Sequence, residues 1–491
     1  MYYHSTRDHK CLVSGTAAIL QGIAPDGGLY VPEAGRLPKL DYQSICMLPV
    51  QEMASAVMGA LLPEFPPEEM AQLVSNAYSG RFETEDLTPT VPVGDNYVLE
   101  LFRGPTSAFK DVALCMLPQL VTASRAYQDV QDEIVILTAT SGDTGKAALE
   151  GFRDVPGTKI IVFFPDEGVS KVQKAQMTTQ QGGNVKVCAI RGNLDDAQTG
   201  VKNVFAACAE QKLLDGRKVR LSSANSINIG RLIPQTVYYF KAYGDVVRSG
   251  RITWGETLDY VVPTGNFGNI LAGYLAKQMG LPVGRLVCAS NDNDVLTEFL
   301  RTGRYDRNRP FHKTISPSMD ILVSSNLERL LYLTEKDTEQ VAGLMAELKE
   351  KGWYQVPDSM LRIIEKDFWA GCCDEASTKE TIGRVFADTG YLMDTHTAVA
   401  WNVAEQYRAA GGDRPMVILS TASAYKFPEA VLQAIGSEPA ADEFDTMERL
   451  AEKSGAPIPA NLAGLRQREV LHKDVIGKDE ILQYVLSYIA K

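Results

Sequence analysis

Tyr260-Val-Val-Pro-Thr264 runs straight into Gly265-Asn266-Phe267-Gly268-Asn269 and on into a helix-patterned stretch that reaches Met279. The first segment is apolar without alternation, as expected of a parallel strand covered on both faces, and the glycines open a turn before a helix. The same order recurs on either side. Ile134 to Thr138, Lys159 to Phe164, Val185 to Ile190, Leu258 to Val262 and Arg285 to Ala289 read as strands. Helices are expected at Gly145 to Phe152, Ser170 to Gln181, Asp195 to Gln211, Ile229 to Tyr243 and Gly268 to Met279. Repeated βα units of this kind specify an α/β fold built on mainly parallel strands.

Outward from this core, residues 1–90 carry loop punctuation (Pro25-Asp26-Gly27-Gly28, Pro63, Pro66-Pro67) with two helical patterns, and read as a small N-terminal module. Residues 91–315 form the α/β core. Residues 316–491 read as mainly helical, with Leu327 to Leu333, Glu339 to Lys351 and Met360 to Trp369 amphipathic. Pro415 to Ser420 is one more apolar run that completes the core as a strand.

Composition narrows the function. The chain has 491 residues, 45% hydrophobic and 22% charged, with a formal charge of −12, a sign that repels phosphate backbones and argues against a nucleic-acid partner. No run approaches the roughly 20 apolar residues of a membrane span, and Met1 to Lys10 is too polar for a secretory signal, so a cytoplasmic protein is expected. Eight cysteines without CxxC spacing suggest reduced thiols, and five histidines without an i, i+4 pair give no metal site.

Three junctions carry candidate chemistry. At Gly265 to Asn269, amides freed by glycine at a helix start can cradle a phosphate; a plain βα turn is the other reading. Ser141-Gly142-Asp143-Thr144-Gly145-Lys146 resembles a Walker A loop only superficially, because Thr140 and Ala147 stand where Gly and Ser or Thr are required. It remains a hydroxyl-rich turn suited to a small anion, or an ordinary capped helix start. Lys110, between Phe109 and Val112, either snorkels to solvent or is desolvated, and desolvation would make it a nucleophile toward aldehydes.

Taken together, these segments closely resemble threonine synthases. The wording is Gly-Pro-Thr-x-Ala-Phe-Lys-Asp at 104–111, Thr-Ala-Thr-Ser-Gly-Asp-Thr-Gly at 138–145, Ser-Ala-Asn-Ser-Ile-Asn at 223–228, Gly-Asn-Phe-Gly-Asn at 265–269 and Ser-Thr-Ala-Ser at 420–423. Tyr3-His-Ser-Thr-Arg-Asp8 and Gly27-Gly-Leu-Tyr-Val-Pro32 add to it, so the resemblance covers nearly the whole chain. It implies a fold type II pyridoxal-phosphate enzyme with two open twisted sheets, similar to the tryptophan synthase β-subunit. The implied activity is that of a carbon–oxygen lyase in threonine biosynthesis, turning O-phospho-L-homoserine and water into L-threonine and phosphate.

By the same resemblance Lys110 holds pyridoxal 5'-phosphate as a Schiff base and moves protons. Gly265, Asn266, Phe267, Gly268 and Asn269 hold the cofactor phosphate, and Thr421 meets the pyridine nitrogen. Ser141, Gly142, Asp143 and Thr144 match the loop that binds the substrate carboxylate. Asp143 departs from the asparagine of many sister enzymes; an ionised carboxylate would repel that group, so Asp143 is expected to face a cation, with amides, Ser141 and Thr144 doing the binding. Lys146, just beyond, is either that cation or a solvated helix residue, and the solvated state is expected. Asn225 and Arg231 are candidates for the substrate phosphate, although surface charge is the alternative for Arg231 and for Lys171. Asp394 or Thr395 is expected to cap a helix at His396. Another fold type II lyase, such as a serine/threonine dehydratase, is the alternative activity, and the oligomeric state is open between monomer and homodimer.

Overall fold

The structure, a computed structural model, describes residues 1–33, 37–167 and 169–490. Its larger sheet has six strands in the order Phe368–Cys372, Val283–Ser290, Leu258–Pro263, Met416–Ser420, Asn96–Glu100, Thr90–Val93. All neighbours are parallel except the last pair. The smaller sheet has five parallel strands, Asp474–Gly477, Val185–Arg191, Thr158–Pro165, Glu133–Ala139 and Val219–Ser222. Central strands such as Leu258–Pro263 and Met416–Ser420 are buried at every position, which is why their sequences lack alternation.

Side-chain parity divides the smaller sheet. Ile134, Ile136, Ile160 and Val162 face the main core with the helices Lys110–Tyr127 and Asp143–Phe152. Val135, Leu137, Ile161 and Phe163 point the other way, onto the helices Leu194–Glu210 and Ile481–Ile489. Each such side chain stabilises the fold by roughly 1.5–3 kcal/mol relative to an exposed position. The chain terminus therefore completes the smaller sheet twice, with the edge strand Asp474–Gly477 and the helix that covers its face.

Near the N-terminus, an antiparallel sheet orders Val13–Ser14, Tyr2–Ser5 and Tyr30–Pro32. The helices Val50–Leu61 and Pro67–Tyr78 follow it. This part packs on the helix Lys110–Tyr127, where Tyr78 donates to the Val112 carbonyl at 2.8 Å. The buried Arg329 ties it to the rest, its Nε donating to the Tyr30 carbonyl at 2.8 Å and its Nη2 to the Ile227 carbonyl at 2.5 Å.

The strands expected from sequence all form. The expected helix from Ile229 to Tyr243 is interrupted, running as Ile229–Leu232, a 3-10 turn Ile233–Thr236 and Val237–Arg248. Pro234 explains this, because it lacks the amide hydrogen that a continuous helix needs. The helix expected to reach Trp369 stops at Asp367, and Phe368–Cys372 becomes an edge strand of the larger sheet. Among the described residues no helix is long and apolar enough to cross a membrane.

Candidate active site

The carboxyl ends of parallel strands are where an α/β fold exposes free backbone to a ligand. Lys110 begins the helix Lys110–Tyr127 beside such an end. The Phe109 amide donates to the Thr421 carbonyl at 2.8 Å, and Ala108 bridges Ala422, so the lysine segment lies against the residues that follow strand Met416–Ser420. Lys110 is half-buried, and its Nζ lies 3.5 Å from Ser318 Oγ. Burial lowers its amine to about 8; Arg231 and Lys426 push the same way, while Asp143 and Asp111 oppose them. Desolvation, not snorkelling, describes this lysine.

The turn at 141–145 is shaped by Thr140, whose Oγ1 accepts from the Gly142 and Gly145 amides, both at 3.0 Å. Gly142 has φ +149° and ψ −80°, and a Cβ there would lie 2.5 Å from Gln173 Cδ. Among the described residues no protein acceptor takes the amides of Ser141, Asp143 and Thr144 at this helix start. Asp143 is buried. Burial alone would raise its carboxyl, but Lys426, then Lys110, and the Gln173 amide at 3.0 Å hold it well below the usual carboxylate range.

The expected cation is therefore Lys426, fully buried, with Nζ 2.6 Å from Asp143 Oδ1 and 3.0 Å from the Thr106 carbonyl. The expectation of a solvated Lys146 is corrected: it is 8% exposed and paired with Glu150 and Gln180. Its place in the sequence, one turn into a helix, does not show this, because Gln180 reaches it from beyond a different helix, Lys171–Thr178. Nothing in the wording of Ala424-Tyr-Lys426 distinguished its lysine from a surface one.

The 265–269 turn opens the helix Gly268–Gln278. Phe267 takes a left-handed φ of +64°, uncommon for a residue with a Cβ, and its ring lies 5.8 Å from that of Phe368. The Gly265 carbonyl accepts from Ser324 Oγ at 2.7 Å, and the Asn266 carbonyl from the Asn326 amide and side chain at 3.0 Å. With its carbonyls engaged, the turn keeps the amides of Asn266, Phe267, Gly268 and Asn269 without a protein acceptor among the described residues. Tyr238 and Tyr239 donate to Asn269 Oδ1 at 2.6 and 2.9 Å, which orients that side chain and leaves its buried Nδ2 unpartnered.

Arg231 is buried, not a surface charge as its alternative reading supposed. Its Nη1 donates to the Ala224 carbonyl at 2.8 Å, its Nε has no partner, and burial lowers the group to about 10. Asn225 is partly exposed on the loop before it; Asn228 is occupied, capping Gly230 at 2.9 Å and donating to the Ile19 carbonyl at 3.0 Å. Ser226 on that loop borders Gly268, so the loop and the phosphate-type turn adjoin. Lys171 is 63% exposed and pairs with Asp442, outside the site.

Comparison with known proteins places the whole chain in a family. The description "Pyridoxal-phosphate dependent enzyme" fits residues 93–422, "Threonine synthase N terminus" residues 2–78, and "Threonine synthase, C-terminal" residues 397–483. The threonine synthase of Pseudomonas aeruginosa is 40% identical over 476 residues, 96% of this chain and 94% of that protein. The chain belongs to the threonine synthase family. A crystal structure of pyridoxal-phosphate-bound threonine synthase from Brucella melitensis superposes with a TM-score of 0.87 at 38% identity, covering 100% of this chain and 98% of that one. Threonine synthase-like 1 of Pongo abelii and of Homo sapiens is 38% identical over 436 residues, 85% of this chain, and the chain spans only 57% of the length of those relatives.

The site fits the cofactor of this threonine synthase family. An amine with its charge disfavoured suits an aldehyde, and a helix-start turn with unengaged amides and the orphaned Asn269 Nδ2 suits a phosphate. Thr421, buried, follows the strand that lies beside both. Three contributors escaped the sequence reading: Lys426, Gln173 and Ser318, each brought in by a distant element.

Proposed function

We propose that this protein converts O-phospho-L-homoserine and water into L-threonine and phosphate, in the cytoplasm, as a monomer or homodimer. One observation carries the reading. The desolvated amine of Lys110 stands among two amide turns and a buried guanidinium, Arg231, that is close enough to depress it. A cofactor phosphate and a substrate with a carboxylate at one end and a phosphate at the other require three anion sites around one amine, whereas the serine or threonine of a dehydratase, which carries no phosphate, requires two.

When bound at Lys110 and the 265–269 turn, with Thr421 at its ring nitrogen, pyridoxal phosphate would supply a sink for the electrons left behind as protons leave the substrate. The protein's own groups do the rest. The amides of Ser141, Asp143 and Thr144, with the Ser141 and Thr144 hydroxyls, bind the substrate carboxylate, and Gly142 lets the turn take that shape. Lys426 cancels the charge of Asp143, so the carboxylate meets no net repulsion. Arg231 and Asn225 hold the substrate phosphate and offset its charge as it departs. Lys110 takes the proton from the carbon that bears the amino group and then one from the next carbon as phosphate leaves the third with the bonding pair; it then takes a proton from water as the hydroxyl adds to the second carbon, and returns protons to the first and third.

The test is product analysis with the purified holoprotein. Release of phosphate and threonine from O-phospho-L-homoserine is expected. Turnover of serine or threonine to a keto acid, with no phosphate release from O-phospho-L-homoserine, would assign the chain to a dehydratase instead.

A further inference from the structure

The segment that meets the Lys110 amine, residues 314–320, is tied to several distant elements. Thr395 Oγ1 donates to the Ile315 carbonyl at 2.7 Å, the Ile315 amide donates to Glu375 Oε1 at 2.8 Å, and Asn291 Nδ2 reaches Thr314 Oγ1 at 2.9 Å and Asp320 Oδ1 at 2.8 Å. At its tip the Ser318 amide donates to His396 Nε2 at 3.1 Å. Because Nε2 accepts, the ring's proton sits on Nδ1, which lies 2.7 Å from Asp394 Oδ2. Asp394 and His396 are buried, and Asp394 is fixed in turn by the amides of His396 at 3.0 Å and Thr397 at 3.1 Å. The helix cap expected from sequence is therefore also the anchor of a loop that touches the amine.

We propose that Ser318 is a further catalytic residue of this site, its hydroxyl holding the free amine of Lys110 at working distance, and that His396 with Asp394 positions it. The geometry is direct: Ser318 Oγ is 3.5 Å from Lys110 Nζ, and the Ser318 carbonyl lies 2.6 Å from where a Gly265 Cβ would stand. One residue thus spans the amine and the 265–269 turn. A hydroxyl suits both states of the amine, accepting from the ammonium and donating to the neutral lone pair, with no other bond changed. The charged groups acting on this amine are Asp111 on its own helix, Asp143, Arg231 and Lys426. None of these is on the 314–320 segment, so Ser318 supplies a contact that they do not.

The kinetic part of this inference rests on the proposed activity, so the test has a second arm that needs neither substrate nor bound cofactor. In the full chain stripped of cofactor, reductive methylation of Lys110 is followed by peptide mass against pH, for wild type, Ser318→Ala, His396→Leu and His396→Gln. An ammonium–hydroxyl bond favours the charged amine, so Ser318→Ala and His396→Leu should both move the Lys110 curve to lower pH, by about half a unit. His396→Gln, whose side chain can still accept from the Ser318 amide, should stay near wild type. In the holoprotein, Ser318→Ala should lower kcat about tenfold while KM changes less than about threefold. A methylation curve that Ser318→Ala leaves in place would overturn the proposal whatever the substrate proves to be. A shifted curve with no phosphate release in wild type would instead uphold Ser318 and defeat the proposed activity.

Discussion

Asp143 and Lys426 meet at 2.6 Å across the two sheets, both buried, one at the helix start after strand Glu133–Ala139 and the other just beyond strand Met416–Ser420. Two charges removed from water are tolerable only as a pair, and each partner has a further tie, Gln173 for the carboxylate and the Thr106 carbonyl for the ammonium. The pair joins the halves of the site and cancels its own charge next to where a carboxylate would dock.

Removing one member should therefore cost far more than removing both. Lys426→Met alone should destabilise the protein by about 3 kcal/mol, because it strands a buried carboxylate. Asp143→Asn with Lys426→Met should recover more than half of that loss in chemical denaturation. If the double variant is no more stable than Lys426→Met, the two side chains are not energetically coupled.

Gly265 sits where a Cβ would lie 2.6 Å from the Ser318 carbonyl, and a backbone atom cannot swing aside as a flexible side chain does. Gly265→Ala should lower stability by about 1–3 kcal/mol and weaken retention of pyridoxal phosphate at least about tenfold. Thermal unfolding together with dialysis against cofactor-free buffer reads both effects; unchanged cofactor retention would show that the turn does not bind it.

Arg231 should discriminate between substrates by their phosphate. Arg231→Gln is expected to raise KM for O-phospho-L-homoserine about tenfold or more, leaving the visible absorbance of the bound cofactor in place. Inhibition by inorganic phosphate should weaken in parallel. Should absorbance vanish while phosphate inhibition persists, Arg231 belongs to the cofactor's site rather than the substrate's.

Lys110→Ala should abolish turnover and the cofactor's covalent absorbance. The pH behaviour of the free amine follows from its lowered value of about 8. Between about 8 and the ordinary value of a lysine, the folded protein binds fewer protons here than the unfolded chain does. This group therefore costs stability below about pH 8, and that cost is relieved as pH rises through the window. In the cofactor-free chain the stability difference between wild type and Lys110→Met should accordingly shrink from pH 7 to pH 9.5, measured by denaturant midpoints.

Much of this protein is legible along the chain. Parallel strands covered on both faces must be apolar throughout, so Leu258–Pro263 and its neighbours are visible as unbroken runs, and the glycine turns announce where free amides gather. Lys110, the 265–269 turn and the 141–145 turn are local features, each with an ordinary reading of its own, and their occurrence together in the wording of one family singled them out. The edge strands Phe368–Cys372 and Asp474–Gly477 were not visible, because a short strand recruited by a sheet edge needs no pattern of its own.

What the order of residues determined by itself was the apolar runs that became inner strands, such as Leu258–Pro263 and Met416–Ser420, and the glycine turns, since each depends on neighbours a few positions away. The tertiary structure alone decided which charges are buried and with whom. Lys426 and Lys146 are ordinary lysines in sequence until other elements close over them, and His396 reads as part of a capped helix until Ser318 arrives from 78 residues away. Burial and partnership are properties of the assembled fold, because the cost of desolvating a charge is set by everything around it and not by the residues beside it in the chain.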